Sequence, residues 1–244
     1  VMNNVGSEIA FGLENRRVPP EEIEVKIKEA AELLKIEHLL NRETSDLSWG
    51  EKQRVAIASV LVMQPEIVVM DEPFSGLDPR ASSNLASVLE TLNRKLGITF
   101  MIAEHRVGHL EDLMDRIVVM KDGQILYDGS PGMELSSALK PHGVILPESG
   151  CRMSENDSVL NIRPKSDFSG RDPVIELIDV GFTYPGSSSP ALNKISLKIY
   201  PSQITIILGS NGSGKSTLAR HLNGTLRPDS GKVILFGEDM SGRP

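Results

Sequence analysis

A glycine-rich loop at residues 209–217, GSNGSGKST, carries the residues best suited to chemistry. It fits the pattern G-x-x-x-x-G-K-[ST] between an apolar run and a predicted helix, the context in which such loops hold phosphate groups. Lys215 is expected to contact the β- and γ-phosphates of a nucleotide, and the Ser216 hydroxyl to bind Mg²⁺. The residues predicted to bind the nucleotide in this loop are Gly209, Asn211, Gly212, Ser213, Gly214, Lys215, Ser216 and Thr217.

A pair of acids ends the apolar segment IVVMDEP at residues 67–73. Phosphoryl transfer needs one carboxylate to hold Mg²⁺ and another to orient or deprotonate the attacking water. Asp71 is therefore expected to bind the metal and Glu72 to activate water. Because an apolar strand that ends in acids often simply meets solvent, this assignment depends on the loop at 209–217. Together the two segments predict ATP and Mg²⁺ as ligands.

Helical and strand-like segments alternate around these residues, which favours an α/β fold with a mostly parallel sheet. Helices are expected from Pro20, from about Glu51 to before Pro65, from Pro79 to Gly97, and from Lys215 to Asn223. The predicted strands lie within residues 67–71, 98–104, 116–121, 124–129, 174–186, 191–200, 203–209 and 231–237.

The chain divides into two ordered parts that look complementary. Residues 141–172 are rich in serine, proline and glycine without a sustained period, which predicts a linker. Residues 1–140 contain the acidic strand end, and residues 173–244 contain the phosphate loop. Since the first residue is Val1 and Pro244 follows a hairpin-like stretch with no closing element, we expect the sequence to be a fragment.

Amino-acid composition limits which partners the protein can bind and in which cellular compartment it lies. A formal net charge of −7 argues against a protein that mainly grips nucleic acid, although a local basic patch remains compatible with it. The single cysteine, Cys151, has no disulfide partner in the chain, which favours a reducing, cytoplasmic compartment. The apolar runs are far shorter than the roughly 20 residues that span a bilayer. Membrane association would therefore require a partner.

The segments LSWGEKQRVAIAS, DEPFSGLDP, AEH and FTYPG together resemble the ATP-binding cassette (ABC) ATPases. The resemblance implies a P-loop NTPase core, a helical signature subdomain and an antiparallel β subdomain. It implies that Ser48 and Gly50 cap the γ-phosphate on a second cassette and that Asp78 links the two sites. It also implies that His105 reaches the γ-phosphate and that Tyr184 stacks on adenine. A tyrosine after a strand is about as often a packing residue.

Three residues depart from the pattern of this family. Trp49 stands where the signature usually has glycine, and its bulk predicts hindrance to close approach of the γ-phosphate. Glu51 replaces the common glutamine, a change expected to be mild. Arg106 follows His105 where aspartate is frequent, which alters the local charge.

The segments EIAFGLENRRVPPEEI and GFTYPGSSSPALNKISLKI resemble most the ATPase subunits of energy-coupling-factor importers for vitamins and transition metals, which are sometimes two fused cassettes. Residues 1–140 would then be the second part of one cassette and residues 173–244 the first part of the next. The family's segment with a core strand and the Q-loop glutamine is absent from this window. We expect a circularly permuted cassette in which Asp71 lies within about 10 Å of Ser216.

The sequence therefore predicts an ATP-hydrolysing subunit that energises import, held at the inner face of the cell membrane by a transmembrane subunit. A second cassette is the other expected partner, and no nucleic acid is expected. One alternative is a soluble ABC ATPase that acts on ribosomes or DNA; another is a fragment that binds nucleotide without turnover. The remaining histidines, predicted to have surface or packing roles, are His38, His109, His142 and His221.

Overall fold

The computed structural model describes residues 4–105, 110, 113–131 and 170–242. The chain forms two compact units, Val1–Glu66 with Phe74–Leu89 and Ile67–Pro73 with Glu90–Pro244. Most of the predicted linker lies outside the described residues, so the boundaries at 140 and 173 remain predictions. Individual residues discussed above that also lie outside are Arg106, His109, His142 and Cys151.

The first unit is helical in its described residues. Its helices are α1 (Val5–Asn15), α2 (Pro20–Leu34), α3 (Trp49–Leu61) and the beginning of α4 (Pro79–Leu96), with 3₁₀ turns at Glu37–Leu39 and Thr44–Asp46. Helices α1, α2 and α3 pack against one another. Helix α1 was not among the predicted elements; the Asn4 side chain caps it by accepting a hydrogen bond from the Ser7 N–H at 2.8 Å.

The described residues of the second unit form two sheets. In chain order the strands are β1 (Ile67–Asp71), β2 (Thr99–Glu104), β3 (Arg116–Lys121), β4 (Gln124–Gly129), β5 (Ile175–Phe182), β6 (Leu192–Ile199), β7 (Ile204–Leu208), β8 (Ser230–Leu235) and β9 (Glu238–Asp239). One sheet has the order β1-β2-β7-β3-β4, with only β4 antiparallel to its neighbour. The other is antiparallel, in the order β6-β5-β8-β9.

Strand β7 lies between β2 and β3, so a strand from residues 173–244 completes a sheet built by residues 1–140. Its register runs from Phe100 opposite Ile204 to Glu104 opposite Leu208. All five residues of β7 are buried, which explains why this strand is an unbroken apolar run. The two parts of the chain therefore share one sheet, as expected for a permuted cassette.

An apolar core joins the two sheets to helix α5 (Lys215–Leu222) within the second unit. Met101 and Ile207 of the parallel sheet, Leu177 of the antiparallel sheet and Leu218 of α5 belong to this core. Helix α5 also packs against β1 and β2. The predicted fold class, a mostly parallel α/β core with helical and antiparallel parts, is confirmed. No helix among the described residues has the length and apolar character needed to span a bilayer.

A buried side chain of α4 ties the two parts of the sequence together. The Asn93 amide donates to the carbonyl oxygens of Ile98 and Ser202, at 2.8 and 2.9 Å. Asn93 is 7% exposed, so water cannot readily replace these bonds. The Ser202 N–H in turn donates to the Thr99 hydroxyl at 2.9 Å.

We expect Asn93→Ala to lower the free energy of unfolding by about 1–3 kcal/mol, because two carbonyl groups lose their donor. Chemical denaturation of the full chain measures this. Ser202→Ala is the matched control: it removes only the exposed hydroxyl that donates to the Gly97 carbonyl, and it should cost less. Equal stability of Asn93→Ala and the parent would contradict the structural role of this side chain.

Candidate nucleotide-binding site

The phosphate loop connects the end of β7 at Leu208 to the start of α5 at Lys215. The Lys215 ammonium donates to the carbonyl oxygens of Gly209 and Ser210, at 2.8 and 3.1 Å. An ammonium group has three protons, so one remains for a ligand. Lys215 therefore stabilises the loop through these two hydrogen bonds, and its remaining N–H can bind an anion.

Two glycines of the loop are required by its close packing. Gly214 has a φ of +103°, and a Cβ there would lie 2.5 Å from the Ala191 carbonyl oxygen. A Cβ at Gly209 would lie 2.5 Å from the carbonyl oxygen of Met120. Any larger residue would push the loop away from its neighbours, so the backbone path depends on glycine at both positions.

The loop has the polar groups that a phosphate needs. The Ser213 hydroxyl is buried and has no hydrogen-bond partner among the described residues, which is costly unless a ligand or water supplies one. The N-terminus of α5 adds unpaired N–H groups and a partial positive charge. Asn211 and Gly212 are exposed at the tip, whereas Ser216 is half-buried and Thr217 is buried on α5. These residues fit the phosphates of a nucleoside triphosphate.

The predicted acids lie at the carboxyl end of β1. Asp71 is the last residue of the strand, pairs with Ala103 in register and is exposed. Glu72 follows with a φ of +50°, and its N–H donates to the Ala103 carbonyl at 2.9 Å. A non-glycine residue in this left-handed region is uncommon, so the hydrogen bond holds the Glu72 backbone in an unfavourable conformation.

His105 lies between two carboxylates at the end of β2. Its Nδ1 atom is 3.8 Å from the Glu72 Oε1 atom and 3.7 Å from the Glu104 Oε2 atom. Glu104 is only 2% exposed, and its carbonyl accepts a hydrogen bond from the Gly209 N–H at 3.2 Å. The β2 end is thus bonded directly to the phosphate loop. Sequence reasoning missed Glu104, although an acid that precedes a histidine at a strand end was visible.

The carboxyl ends of β1, β2 and β7 meet at the same edge of the sheet because these strands are parallel. With neighbouring strands about 4.8 Å apart, β1 and β7 are separated by roughly 10 Å, and α5 packs back over β1. Ile67 and Val69 pack against the core that contains Leu218 of α5, and alternation along β1 places Asp71 on that same face. Among the described residues no three His, Cys, Asp or Glu side chains are arranged to hold a metal.

Tyr184 follows β5, and its hydroxyl lies 3.2 Å from the Thr217 hydroxyl on α5. Its half-buried ring packs edge-on against Phe182, with centroids 4.9 Å apart and planes at 86°. The predicted base-stacking residue is therefore attached to the helix that begins at the phosphate loop.

The predicted signature residues belong to the first unit. Ser48 caps α3, and Gly50 lies in the first turn of that helix. Gly50 and Asp78 line one cleft, together with Arg54 and Arg80. The Asp78 carboxylate accepts a hydrogen bond from the Ala81 N–H at 2.9 Å and so caps the start of α4. The first unit thus brings Gly50 and Asp78 together.

The Glu51 side chain is hydrogen-bonded to Ser48. Its carboxylate accepts hydrogen bonds from the Ser48 N–H at 2.8 Å and the Ser48 hydroxyl at 2.7 Å, which completes a capping box. These bonds, with the hydroxyl first, hold the pKa of Glu51 below its ordinary value. The S-x-x-E spacing of a capping box is present in the sequence, where the replacement of the common glutamine by Glu51 predicts only a mild effect.

Trp49 is 63% exposed, and its indole is held over the turn that precedes α4. The Nε1–H donates to the Ser75 carbonyl at 3.0 Å, and the ring lies beside Gly76, whose φ is +74°. The Trp49 side chain thus has a defined position in the first unit.

We expect Glu51→Ala to lower the free energy of unfolding by about 0.5–1.5 kcal/mol at neutral pH, because the Ser48 N–H and hydroxyl lose their acceptor and the capping box keeps only the Ser48 half. A carboxylate whose pKa is lowered by folding stabilises the protein above its unfolded pKa, and this contribution disappears as the pH falls through the folded pKa. Thermal unfolding of variant and parent should therefore differ at neutral pH and converge in acid. Glu51→Gln, which keeps an acceptor oxygen, should lose less; an equal gap at both pH values would contradict the assignment.

The strand, phosphate loop and helix, with acids on the adjacent strand ends, define the class of P-loop nucleotide-binding proteins. The sequence profile of the family described as ABC transporter matches residues 3–75 and 192–244. The chain belongs to this family. The matched ranges contain Ser48, Asp71, Glu72 and Lys215.

Curated relatives carry the same description. A putative ABC transporter ATP-binding protein of Vibrio vulnificus is 32% identical and aligns with 98% of this chain and 46% of its own length. One of Methanosarcina acetivorans is 35% identical over 100% of this chain and 44% of its own length. The chain therefore spans about half the length of these relatives.

Solved structures of this family are similar in fold. CbiO1 from Clostridium perfringens, described as part of the ABC transporter complex cbiONQ, is 35% identical with a TM-score of 0.53, over 59% of this chain and 57% of that one. An ATP-binding cassette of an ABC transporter in its ADP conformation is 29% identical with a TM-score of 0.52, over 58% of this chain and 61% of that one.

Proposed function

We propose that this chain is part of the ATP-binding and ATP-hydrolysing subunit of an ABC transporter that imports a small solute of the vitamin or transition-metal type. The observation that carries the proposal is the shared sheet edge. There the phosphate loop after β7, the acids after β1 and His105 after β2 come from both parts of the chain. This arrangement brings together residues suited to bind phosphate, to bind a metal ion and to accept a proton.

Each residue of this edge has a role in hydrolysis. Lys215 and the loop N–H groups hold the phosphates, and Ser216 and Asp71 would hold Mg²⁺. A bound Mg²⁺ would supply positive charge that offsets the negative charge of the phosphates. The Glu72 carboxylate accepts a proton from the attacking water. His105, 3.8 Å from Glu72, orients that carboxylate and the terminal phosphate.

Other residues would contact the adenine ring and the nucleotide that a second cassette holds. Tyr184 stacks on adenine, since its ring is anchored beside the phosphate loop through Thr217. In the first unit, Ser48 and Gly50 contact the γ-phosphate held by a second cassette, and Asp78 couples the two sites. A positively polarised helix start with a serine cap suits this contact.

Import and membrane attachment rest on similarity. The residues at 8–23 and 181–199 resemble energy-coupling-factor ATPases, and the solved cbiO1 chain belongs to a complex with other subunits. We propose that a transmembrane subunit holds this protein at the cytoplasmic face of the membrane. A net charge of −7 disfavours the ribosome- or DNA-associated alternative.

Binding without turnover is the second candidate function, because the Ser48 hydroxyl is already bonded to Glu51 and Trp49 occupies a position usually held by glycine. Radiolabelled ATP binding and phosphate release, measured side by side on the chain, separate the candidates. We expect both activities. Binding without release would support the second candidate, and no binding would refute both.

A further inference from the structure

A buried histidine lies behind the proposed adenine-stacking residue. His221 is 3% exposed, and its Nδ1 atom is 2.7 Å from the Thr217 carbonyl oxygen one turn earlier on α5. Its ring packs edge-on against Phe182, with centroids 4.9 Å apart and planes at 76°. His221 thus contacts the chain at two points, one on the helix and one on β5.

The hydrogen bond determines which ring nitrogen of His221 is the donor. A carbonyl oxygen can only accept, so Nδ1 carries the proton and Nε2 of the neutral ring is an acceptor. Nε2 is buried and has no hydrogen-bond partner among the described residues. An unsatisfied buried acceptor is destabilising, and a leucine of similar size would avoid that cost. What histidine supplies and leucine cannot is the Nδ1–H bond to Thr217.

The two residues that His221 contacts are the same two that hold Tyr184. The Thr217 hydroxyl is bonded to the Tyr184 hydroxyl at 3.2 Å, and Phe182 packs edge-on against both aromatic rings. Tyr184 is itself half-buried and follows the strand rather than lying within it. Its ring is therefore held by Thr217 and Phe182, and both of these residues also contact His221.

We propose that His221 is a positioning residue for base recognition, which acts through Thr217 and Phe182 to fix the ring of Tyr184. The inference rests on the proposed function, in which Tyr184 stacks on adenine. Loss of His221 frees the Tyr184 ring and weakens contact with the base. The phosphate grip of Lys215 is unaffected, because its bonds run to Gly209 and Ser210.

Calorimetry on the full chain with two ligands, MgATP and Mg-tripolyphosphate, tests this, because only ATP has a base. His221→Leu should weaken ATP binding by about three- to tenfold, the range of one aromatic contact, and leave tripolyphosphate binding unchanged. His221→Gln, which retains an N–H donor, should recover part of the loss. Tyr184→Ala should show the same base-selective loss, and the double variant should be no weaker than Tyr184→Ala alone.

Equal losses for both ligands in His221→Leu would overturn the inference, and so would a double variant weaker than Tyr184→Ala. If Tyr184→Ala binds ATP as the parent does, base stacking and the inference both fail while the phosphate site stands. If the parent binds neither ligand, the proposed function fails and takes the inference with it. Should His221→Leu not fold, His221→Phe keeps the contact with Phe182, removes the donor and is expected to show the same base-selective loss.

Discussion

Replacing Lys215 with alanine should weaken MgATP binding by about 10- to 100-fold. Hydrogen bonds to charged groups contribute about 1.5–3 kcal/mol each, and a factor of ten in affinity corresponds to about 1.4 kcal/mol. Lys215 is 4% exposed, so its charge acts from a site where water screens it poorly. The variant also removes the bonds to the carbonyl oxygens of Gly209 and Ser210 that brace the loop. Calorimetric titration of variant and parent measures the change.

Lys215→Arg separates charge from geometry. Arginine retains the positive charge, but its planar fork cannot reproduce the ammonium's contacts with two loop carbonyls. We expect Lys215→Arg to bind MgATP more weakly than the parent and more tightly than Lys215→Ala. Equal affinity of Lys215→Ala and the parent would remove the phosphate loop from the proposed site.

Replacing Glu72 with glutamine should slow phosphate release by about 10²–10⁴-fold while ATP affinity stays close to that of the parent. Glutamine has nearly the same shape, so the backbone bond from residue 72 to the Ala103 carbonyl and its φ of +50° are retained. What is lost is the basic carboxylate 3.8 Å from His105. Steady-state phosphate release from the intact protein, with nucleotide binding measured in parallel, provides the test.

Glu104→Gln is the matched control for this prediction. Its carboxylate is also near His105, at 3.7 Å, but it is buried at the end of β2. We expect Glu104→Gln to keep most of the phosphate release. A larger loss in Glu104→Gln than in Glu72→Gln would transfer the role of base from Glu72 to Glu104.

Local chemistry explains which features were predictable from the residues. The loop at 209–217 is a contiguous pattern whose glycines, lysine and helix start need no distant partner, and the structure has the predicted strand, loop and helix there. Strand β1 matches its predicted range of 67–71 because an apolar run between Pro65 and Pro73 has little alternative. Membership of the ABC transporter family also followed from such contiguous segments.

Two features were present in the sequence but were not recognised. The S-x-x-E spacing of Ser48 and Glu51 is that of a capping box, yet Glu51 was considered only as a replacement for glutamine. Asn4 precedes α1 at the position of a helix cap, and that helix was not predicted. Both are short-range patterns, so the residues on either side of a helix start are enough to predict them.

The remaining features depend on contacts between residues far apart in the chain. The residue types of β7 predict a buried strand. Its insertion between β2 and β3 depends on hydrogen bonds between residues about 100 positions apart, and no local pattern predicts which residues pair. The burial of Glu104 and His221 has the same origin, since each lies where a strand or helix meets a neighbour formed elsewhere in the sequence. The N–H of Glu72, whose backbone is left-handed, likewise bonds to Ala103 on the next strand, about 30 positions away in the sequence. Short-range propensity selects the type of element and the chemistry that it carries, whereas burial and pairing across the sheet set which of these groups come within reach of one another.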